Sequence, residues 1–466
     1  MNKLCFLIPL FVFLSCANGF LDVKPSIRQR VPKTLNDYIS LLDNTSVMNV
    51  SSHALGMIGG DEIFISEPVY NAFPTGANYN YLKRAYVWEE NIFEGNEVNL
   101  LDWNDGYKRI LWANLALDGI ERLTGTEKES PEAAWAKGAA LFHRAFNYYN
   151  LAQLFCPVFD PDMNAPKSGL PLRLDPDLTM SVPRSNLQET YERIAEDISD
   201  ALKLLPDDSE NIYRPDKAAA LALLARLQLQ MGNYQAAFDN AEQCLARHGS
   251  LLDYDTVNPD QPLPFTSRGI GNPEIIFMSM LTGNMGSYLR MLSVQAVSVN
   301  PDLIALYEAG DLRRTLFYGV ADDGSFNYRG SYDGYGRDSY FTGLATDEVY
   351  LILAETAARL GNIPKALVAL NRLRKHRFLP VEFRPLEISD VEILLDSIVV
   401  ERRRELVLRG IRWEDLRRLN KEERFAETLT RKLGERTFTL EPGSKRYVWP
   451  LPLEAVQVGG YEQNIR

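Results

Sequence analysis

The sequence predicts a mainly α-helical protein in which paired helices form a scaffold that carries one loop-rich, irregular part. Three observations lead there. Apolar side chains recur every three to four positions over several long stretches, as one buried helix face requires. Two of these stretches repeat one another around a Gly-Asn pair, and the segment between them gives way to Gly, Asn, Asp, Tyr and Pro with little helical period. With 466 residues, 45% of them hydrophobic, the chain exceeds the roughly 250–300 residues at which single cores stop growing, so a continuous helical scaffold or several subdomains is expected.

The elements follow in chain order. From Trp103 to Leu123, the positions Tyr107, Ile110, Leu111, Asn114, Leu117 and Ile120 fall on one helix face. From Ala133 to Leu154, Phe142, Ala145, Phe146, Tyr149 and Ala152 form a second stripe, ended by Pro157, which cannot continue a helix. A capping box from Ser185 to Gln188 opens a third helix, which turns Leu187, Tyr191, Ile194 and Ile198 inward and stops at Pro206.

Next, Leu221, Leu224 and Ala225, the turn Gly232-Asn233, then Ala237, Ala241 and Cys244 resemble a tetratricopeptide helix pair, with small residues allowing close approach. A second copy runs from Tyr350 through Ala354, Gly361-Asn362 and Ala366 to Leu373. The two turns are not separated by a multiple of the roughly 34-residue repeat, so something is inserted between the copies. Long loops and short strands are expected there, and loops on a rigid scaffold commonly carry binding function. A last capping box, Ser389 to Glu392, opens a helix to about Leu408 that Gly410 closes. The segment Tyr447 to Pro452 reads as an extended stretch laid across the body.

Charge and cysteine usage exclude several classes. A net charge of −12 argues against nucleic-acid binding, which needs a basic face. The one basic concentration, Arg402, Arg403, Arg404, Arg409, Arg412, Arg417 and Arg418, is interleaved with Glu401, Glu405, Glu414 and Asp415 and reads as ion pairs along a helix surface. At the N-terminus, Lys3 and the apolar run Leu4 to Leu14 form a secretory signal, too short for the about 20 residues of a membrane span. Phe13-Leu14-Ser15-Cys16 then resembles a lipoprotein box, which makes Cys16 the expected acylated residue. Cys156 and Cys244 form no metal-type or redox-type pair, and Cys244 reads as a buried small hydrophobe.

No catalytic constellation is visible: four histidines, His53, His143, His248 and His376, stand outside any HExxH motif, and no CxxC, GxSxG or phosphate-binding loop occurs. The acidic doublets Asp61-Glu62, Glu89-Glu90 and Asp322-Asp323 read as solvated surface charge, and no metal or cofactor is assigned. What does suggest a ligand is the density of aromatic and amide residues in two regions. Tyr70, Phe73, Asn78, Tyr79, Tyr81, Trp88 and Asn91, with Arg84, form one; Tyr328, Tyr332, Tyr335 and Tyr340 form the other. Aromatic faces flanked by amides suit the C–H faces and hydroxyls of sugars.

Several segments together resemble the SusD/RagB family: Cys16 with Phe20 to Pro25, Trp103 to Asn114, Lys137 to Phe155, Arg226 to Gly232, Asn272 to Phe277 and Tyr350 to Gly361. The most specific match is Glu401-Arg402-Arg403-Arg404-Glu405-Leu406, with Gly410, Arg412 and Asp415 to Arg418, and the chain closes on Pro450-Leu451-Pro452 and Gln463-Asn464. The family's helix commonly has a leucine where His143 stands.

The resemblance implies a signal peptide over 1–15, a lipidated, loop-rich region over 16–100, a helical scaffold over 101–250, an irregular insert over 251–341 and a C-terminal helical part with extended tail over 342–466. It implies a non-enzymatic lipoprotein of the outer membrane, facing the cell exterior, that captures oligosaccharides for a SusC-like TonB-dependent barrel. The RagB branch, serving oligopeptide uptake, is the alternative. On the same resemblance, the ligand residues are expected among Tyr79, Tyr81, Trp88, Asn91, Tyr288, Tyr328, Tyr332 and Tyr335, while the arginine-rich motif is expected to pair internally.

Overall fold

The long amphipathic stretches form the helices their periodicity predicts. A computed structural model describes residues 32–93, 100–162, 165–282, 297–334 and 339–466. Its principal helices are α1 (Leu35–Leu42), α2 (Ala54–Gly59), α3 (Glu67–Ala72), α4 (Ala77–Tyr86), α5 (Leu101–Glu121), α6 (Pro131–Phe155) and α7 (Leu187–Leu204). They continue with α8 (Lys217–Gln230), α9 (Tyr234–Arg247), α10 (Thr346–Arg359), α11 (Ile363–Lys375), α12 (Val391–Glu405) and α13 (Arg412–Leu419). The signal segment, Cys16, Tyr288 and Tyr335 lie outside the described residues.

The centre of the helical part is α6, buried on all sides from Gly138 to Phe155 and packed between α5 and α7. Arg144 cross-ties the three. Its Nε and Nη2 donate to the Asp197 carboxylate of α7 at 2.7 Å each, and its Nη1 donates to Asn114 Oδ1 of α5 at 2.9 Å. The short helix α1 closes on α5 where Gly119 leaves room for the Tyr38 ring.

The two repeat copies share one turn geometry. Gly232 and Gly361 take φ of 76° and 78°, the left-handed region that favours glycine. Gly232 N donates to Leu229 O and Asn233 N to Gln228 O; Gly361 N donates to Ala358 O and Asn362 N to Ala357 O. These are paired Schellman closures, which satisfy the last carbonyls of α8 and of α10 in the same way. In space α9 packs directly on α10, so the copies stack as neighbours while the intervening chain loops out.

That intervening chain forms short strands: β2 (Ile275–Phe277), β3 (Met280–Thr282), β4 (Val297–Val299), β5 (Tyr318–Val320), β6 (Phe326–Tyr328), β7 (Ser339–Phe341) and β8 (Leu344–Ala345), joined by β1 (Ile63–Ile65). They pair antiparallel as β1–β4, β2–β8, β3–β7 and β5–β6. A hairpin, β9 (Leu429–Leu433) with β10 (Arg436–Leu440), follows α13. Downstream, Trp449 N donates to Leu154 O, and Trp449 and Leu451 are buried.

Two cap positions differ from expectation by one residue. Asn186, not Ser185, caps α7: its side chain accepts from Glu189 N at 2.8 Å, and the Glu189 carboxylate accepts from Asn186 N at 2.9 Å. Ser185 Oγ instead donates to Leu170 O. Asp390, not Ser389, caps α12 by accepting from Glu392 N and Ile393 N. In both cases a carboxylate near the helix start adds a favourable interaction with its dipole. Helix α12 ends at Glu405, ahead of the expected Leu408, because the chain passes through positive φ at Leu408 and Gly410 before α13.

The arginine-rich motif does not lie on a helix surface. Arg402, Arg404, Arg409, Arg417 and Arg418 are buried, and the motif's charges pair inward. Glu401 meets Arg313 and Arg374, Arg402 meets Asp415, and Arg403 meets Asp61. Arg404 meets Glu308, and Glu405 meets Arg313 and Arg377. One turn of α12 therefore fastens the insert, α11, α13 and the N-terminal region together. The doublet Asp61-Glu62 is likewise not solvated: Asp61 accepts from Arg412 Nε at 2.7 Å, and Glu62, buried, accepts from Leu408 N at 3.0 Å.

Candidate ligand-binding face

The two aromatic regions, far apart in sequence, are linked through short strands. Ile65 N of β1 donates to Tyr86 Oη of α4 at 3.0 Å. On its other side β1 pairs with β4, Phe64 opposite Ser298, and β4 packs on β6. Thus α4, with its preceding and following loops, is joined edge to edge to the irregular insert.

Tyr79, on α4, is half-buried, and Asn91 is exposed, its Oδ1 accepting from Phe93 N at 3.1 Å. The other rings within the described residues are enclosed. Trp88 has no exposed surface. Its Nε1 donates to Gly59 O at 2.8 Å, and the Arg431 guanidinium covers the ring at 4.3 Å. Tyr81 is buried on α4, and Tyr328 is buried against Tyr340, ring centroids 5.9 Å apart. Tyr332 is buried with its hydroxyl 2.7 Å from Glu274 Oε2 and 2.9 Å from Asp347 Oδ2. These four rings brace the loops and turn no face to solvent.

Two open cavities were not legible beforehand. One, of about 520 Å³, is lined by Trp103, Tyr107, Arg173, Asp175, Leu178 and Tyr461, between α5, the loop before α7 and the C-terminal segment. Trp103 and Tyr107 had the spacing of core residues, and Tyr461 lies hundreds of positions downstream; nothing local signals that they meet. The other, of about 510 Å³, lies where the C-terminal tail crosses the ends of α6 and α13.

Among the described residues, one cluster of carboxylates is close enough to hold a metal ion, and arginines engage it. The carboxylate oxygens of Glu274, Asp347 and Glu405 lie within 4.8 Å of one another, but the cations among them are arginines: Arg377 on Glu274 and Glu405, Arg409 on Asp347. Burial pushes Glu274 and Glu405 up, while against burial Arg409 and Arg377 hold Asp347 down. Burial, with Arg226 and Arg109 nearby, lowers His53 to about 3, and burial with Arg109 lowers His143 to about 3. Both imidazoles are neutral and enclosed. Cys156 and Cys244 are free and buried, and no helix among the described residues is long and apolar enough to cross a membrane.

Comparison with known proteins accords with this architecture. Residues 19–229 match a SusD-like family model described as starch-binding, associating with outer membrane, and residues 318–464 match the SusD family model. SusD-like protein P38 of Formosa agariphila is 24% identical over 400 residues, 71% of this chain and 74% of that protein. SusD-like protein P2 of the same organism is 26% identical over 409 residues, 75% and 76%. A SusD superfamily protein from Bacteroides thetaiotaomicron superposes with a TM-score of 0.75 at 21% identity, over 93% of this chain and all of that one. A SusD-like carbohydrate binding protein from Bacteroides vulgatus gives 0.68 at 19% identity, over 92% and 97%. In order, in extent and in fold, the chain belongs to the SusD/RagB family.

Proposed function

We propose that this protein is a glycan-binding lipoprotein of the outer membrane, anchored through Cys16 and facing the cell exterior, that captures oligosaccharides and passes them to a SusC-like TonB-dependent barrel. The observation that carries the glycan reading is the match of residues 19–229 to a family described as starch-binding, a span that includes Tyr79 and Asn91. The carbohydrate-binding description of a structural relative supports it. So does the chemistry of the α4 face: a half-buried tyrosine and an exposed amide on a rigid support offer a ring face and hydrogen bonds to a sugar.

The test is isothermal titration of the full chain, held in detergent micelles, against neutral oligosaccharides and mixed oligopeptides. Saturable binding of an oligosaccharide, weakened about tenfold in Tyr79→Ala or Asn91→Ala, is the expected result, equivalent to about 1.4 kcal/mol. Binding of peptides alone would replace this reading with oligopeptide capture, and binding of neither would end both.

A further inference from the structure

Buried guanidinium groups in this protein are, as a rule, matched by carboxylates: Arg144 by Asp197, Arg226 by Glu348, Arg377 by Glu274 and Glu405, Arg418 by Glu355. The rule has a physical cause, since a charge taken out of water needs a counter-charge to replace its hydration. Arg184 and Arg417 depart from it, as does buried Arg109, which donates to Asn147 Oδ1 and Ser52 Oγ; of these three, Arg184 and Arg417 lie on one cavity.

Arg417 is 4% exposed and donates from Nη1 and Nη2 to the backbone carbonyls of Gln153 and Cys156. Arg184 is 8% exposed and donates from Nε to Gly169 O at 2.9 Å, and from Nη1 to Glu462 O at 3.1 Å and Asn464 Oδ1 at 2.9 Å. Carbonyls satisfy donors but bring no net charge. Among the described residues, no carboxylate lies within ion-pairing distance of either guanidinium.

Both side chains line the same open cavity of about 510 Å³. Lys167 and Lys445, both exposed, complete the cationic lining. The acidic lining residue is Glu462, whose carboxylate Lys167 Nζ already engages at 2.6 Å. Four cations thus meet one carboxylate in a chain whose net charge is −12. Burial lowers the Arg417 pKa, the mark of a charge short of compensation. Apolar surface from Pro157, Val158 and Val448 adjoins the charges, and the volume falls in the range of small-molecule sites.

We propose that this cavity is an anion-binding subsite, where Arg184, Arg417, Lys167 and Lys445 receive the carboxylate of a uronic acid or the sulfate ester of a sulfated sugar. Both groups present the arrayed oxygens that a guanidinium fork matches. That the anion is carried on a sugar rests on the glycan reading above; the preference for an anion rests on the cavity alone.

The test is titration of the full chain in detergent micelles at low salt with digalacturonate, a sulfated disaccharide, neutral galactobiose and a diglutamate peptide. Digalacturonate or the sulfated disaccharide should bind saturably and at least tenfold more tightly than galactobiose, and the arm that binds identifies the anion. Affinity should fall steeply on raising the salt, and at least tenfold in the double variant Lys167→Glu, Lys445→Glu, which alters the exposed rim and leaves the buried arginines in place. An unchanged melting temperature would show that the variant is folded. Equal affinity for charged and neutral sugars, or charge-dependent binding that survives in the variant, would overturn the proposal, as would preference for the peptide. If neutral oligosaccharides still bind in those cases, only the subsite fails; if no carbohydrate binds, the glycan reading fails with it.

Discussion

Arg418 of α13 grips Glu355 of α10 with both arms, Nη1 2.6 Å and Nη2 2.8 Å from the two carboxylate oxygens, in a place where the carboxylate has no exposed surface and the guanidinium is buried. Arg359 adds a third contact to the same carboxylate at 2.9 Å. Although burial pushes the other way, Arg418 and Arg359 hold Glu355 down to about 2. A carboxyl depressed on folding contributes stability that is present above its ordinary value of 4.5 and is lost as pH falls toward about 2. Glu355→Ala leaves two guanidinium groups short of their partner and should cost about 3–5 kcal/mol at neutral pH. Denaturant titration at pH 7 and pH 3 checks this: the deficit relative to the parent should shrink at the lower pH, and a deficit that does not change would mean that the cost is packing alone.

Trp88 separates stability from binding. Its ring is sealed under Arg431, its indole N–H is spent on Gly59 O, and its backbone lies at φ 55°, a conformation a bulky residue holds only when the surroundings enforce it. Trp88→Ala should lower unfolding free energy by about 3–5 kcal/mol, while the molecules that remain folded bind glycan as the parent does. Tyr79→Ala should do the reverse, with little change in melting and a loss of affinity. A Trp88→Ala protein of parental stability that no longer binds would return the ring to the ligand site.

Glu62 should make the protein more stable in mild acid than in mild base. Burial, reinforced by the neighbouring Asp61 charge, raises its carboxyl from 4.5 to about 8. Between those values the folded chain keeps a proton that the unfolded chain releases, so stability falls as pH rises through the window. Burial likewise raises Glu414 to about 8, with the same sign. Glu62→Gln keeps an acceptor for Leu408 N and removes one titration, so its stability should fall less than the parent's between pH 5 and pH 8, by on the order of 1–3 kcal/mol. Parallel pH curves for the two proteins would show that Glu62 is ionised in the fold.

The sequence was most informative where structure is decided locally. The stripes at Phe142, Phe146 and Tyr149 and the two Gly-Asn turns needed only near neighbours to declare themselves, and they form the helices and closures expected. Capping was ambiguous by one position because Ser185-Asn186 and Ser389-Asp390 each place two competent caps side by side, with Glu189 settling the first. Burial of charge was not legible, since Arg412 finds Asp61 and Arg313 finds Glu405 only through the folded topology. The same holds for the rings: Tyr332 reads as a loop aromatic until Glu274, Asp347 and Arg409 close around it. Aromatic density pointed to the α4 side as a candidate but could not tell a buried brace such as Trp88 from a half-buried ring such as Tyr79.

Glycines offer a contrast between conformational and steric need within one protein. A Cβ on Gly361 would meet nothing within 4 Å, so its requirement comes from its φ of 78° alone. Gly361→Ala should therefore cost about 1–2 kcal/mol, the strain of placing an L side chain in the left-handed region. A Cβ on Gly119 would fall 2.0 Å from Tyr38 Cζ, and α1 would have to lift from α5. Gly119→Ala should cost at least 2–3 kcal/mol, about the upper range for overpacking, and Tyr38→Ala should recover much of that loss in the double variant. Equal costs for the two glycines, or no recovery with Tyr38→Ala, would show that α1 is not seated on α5 through this contact.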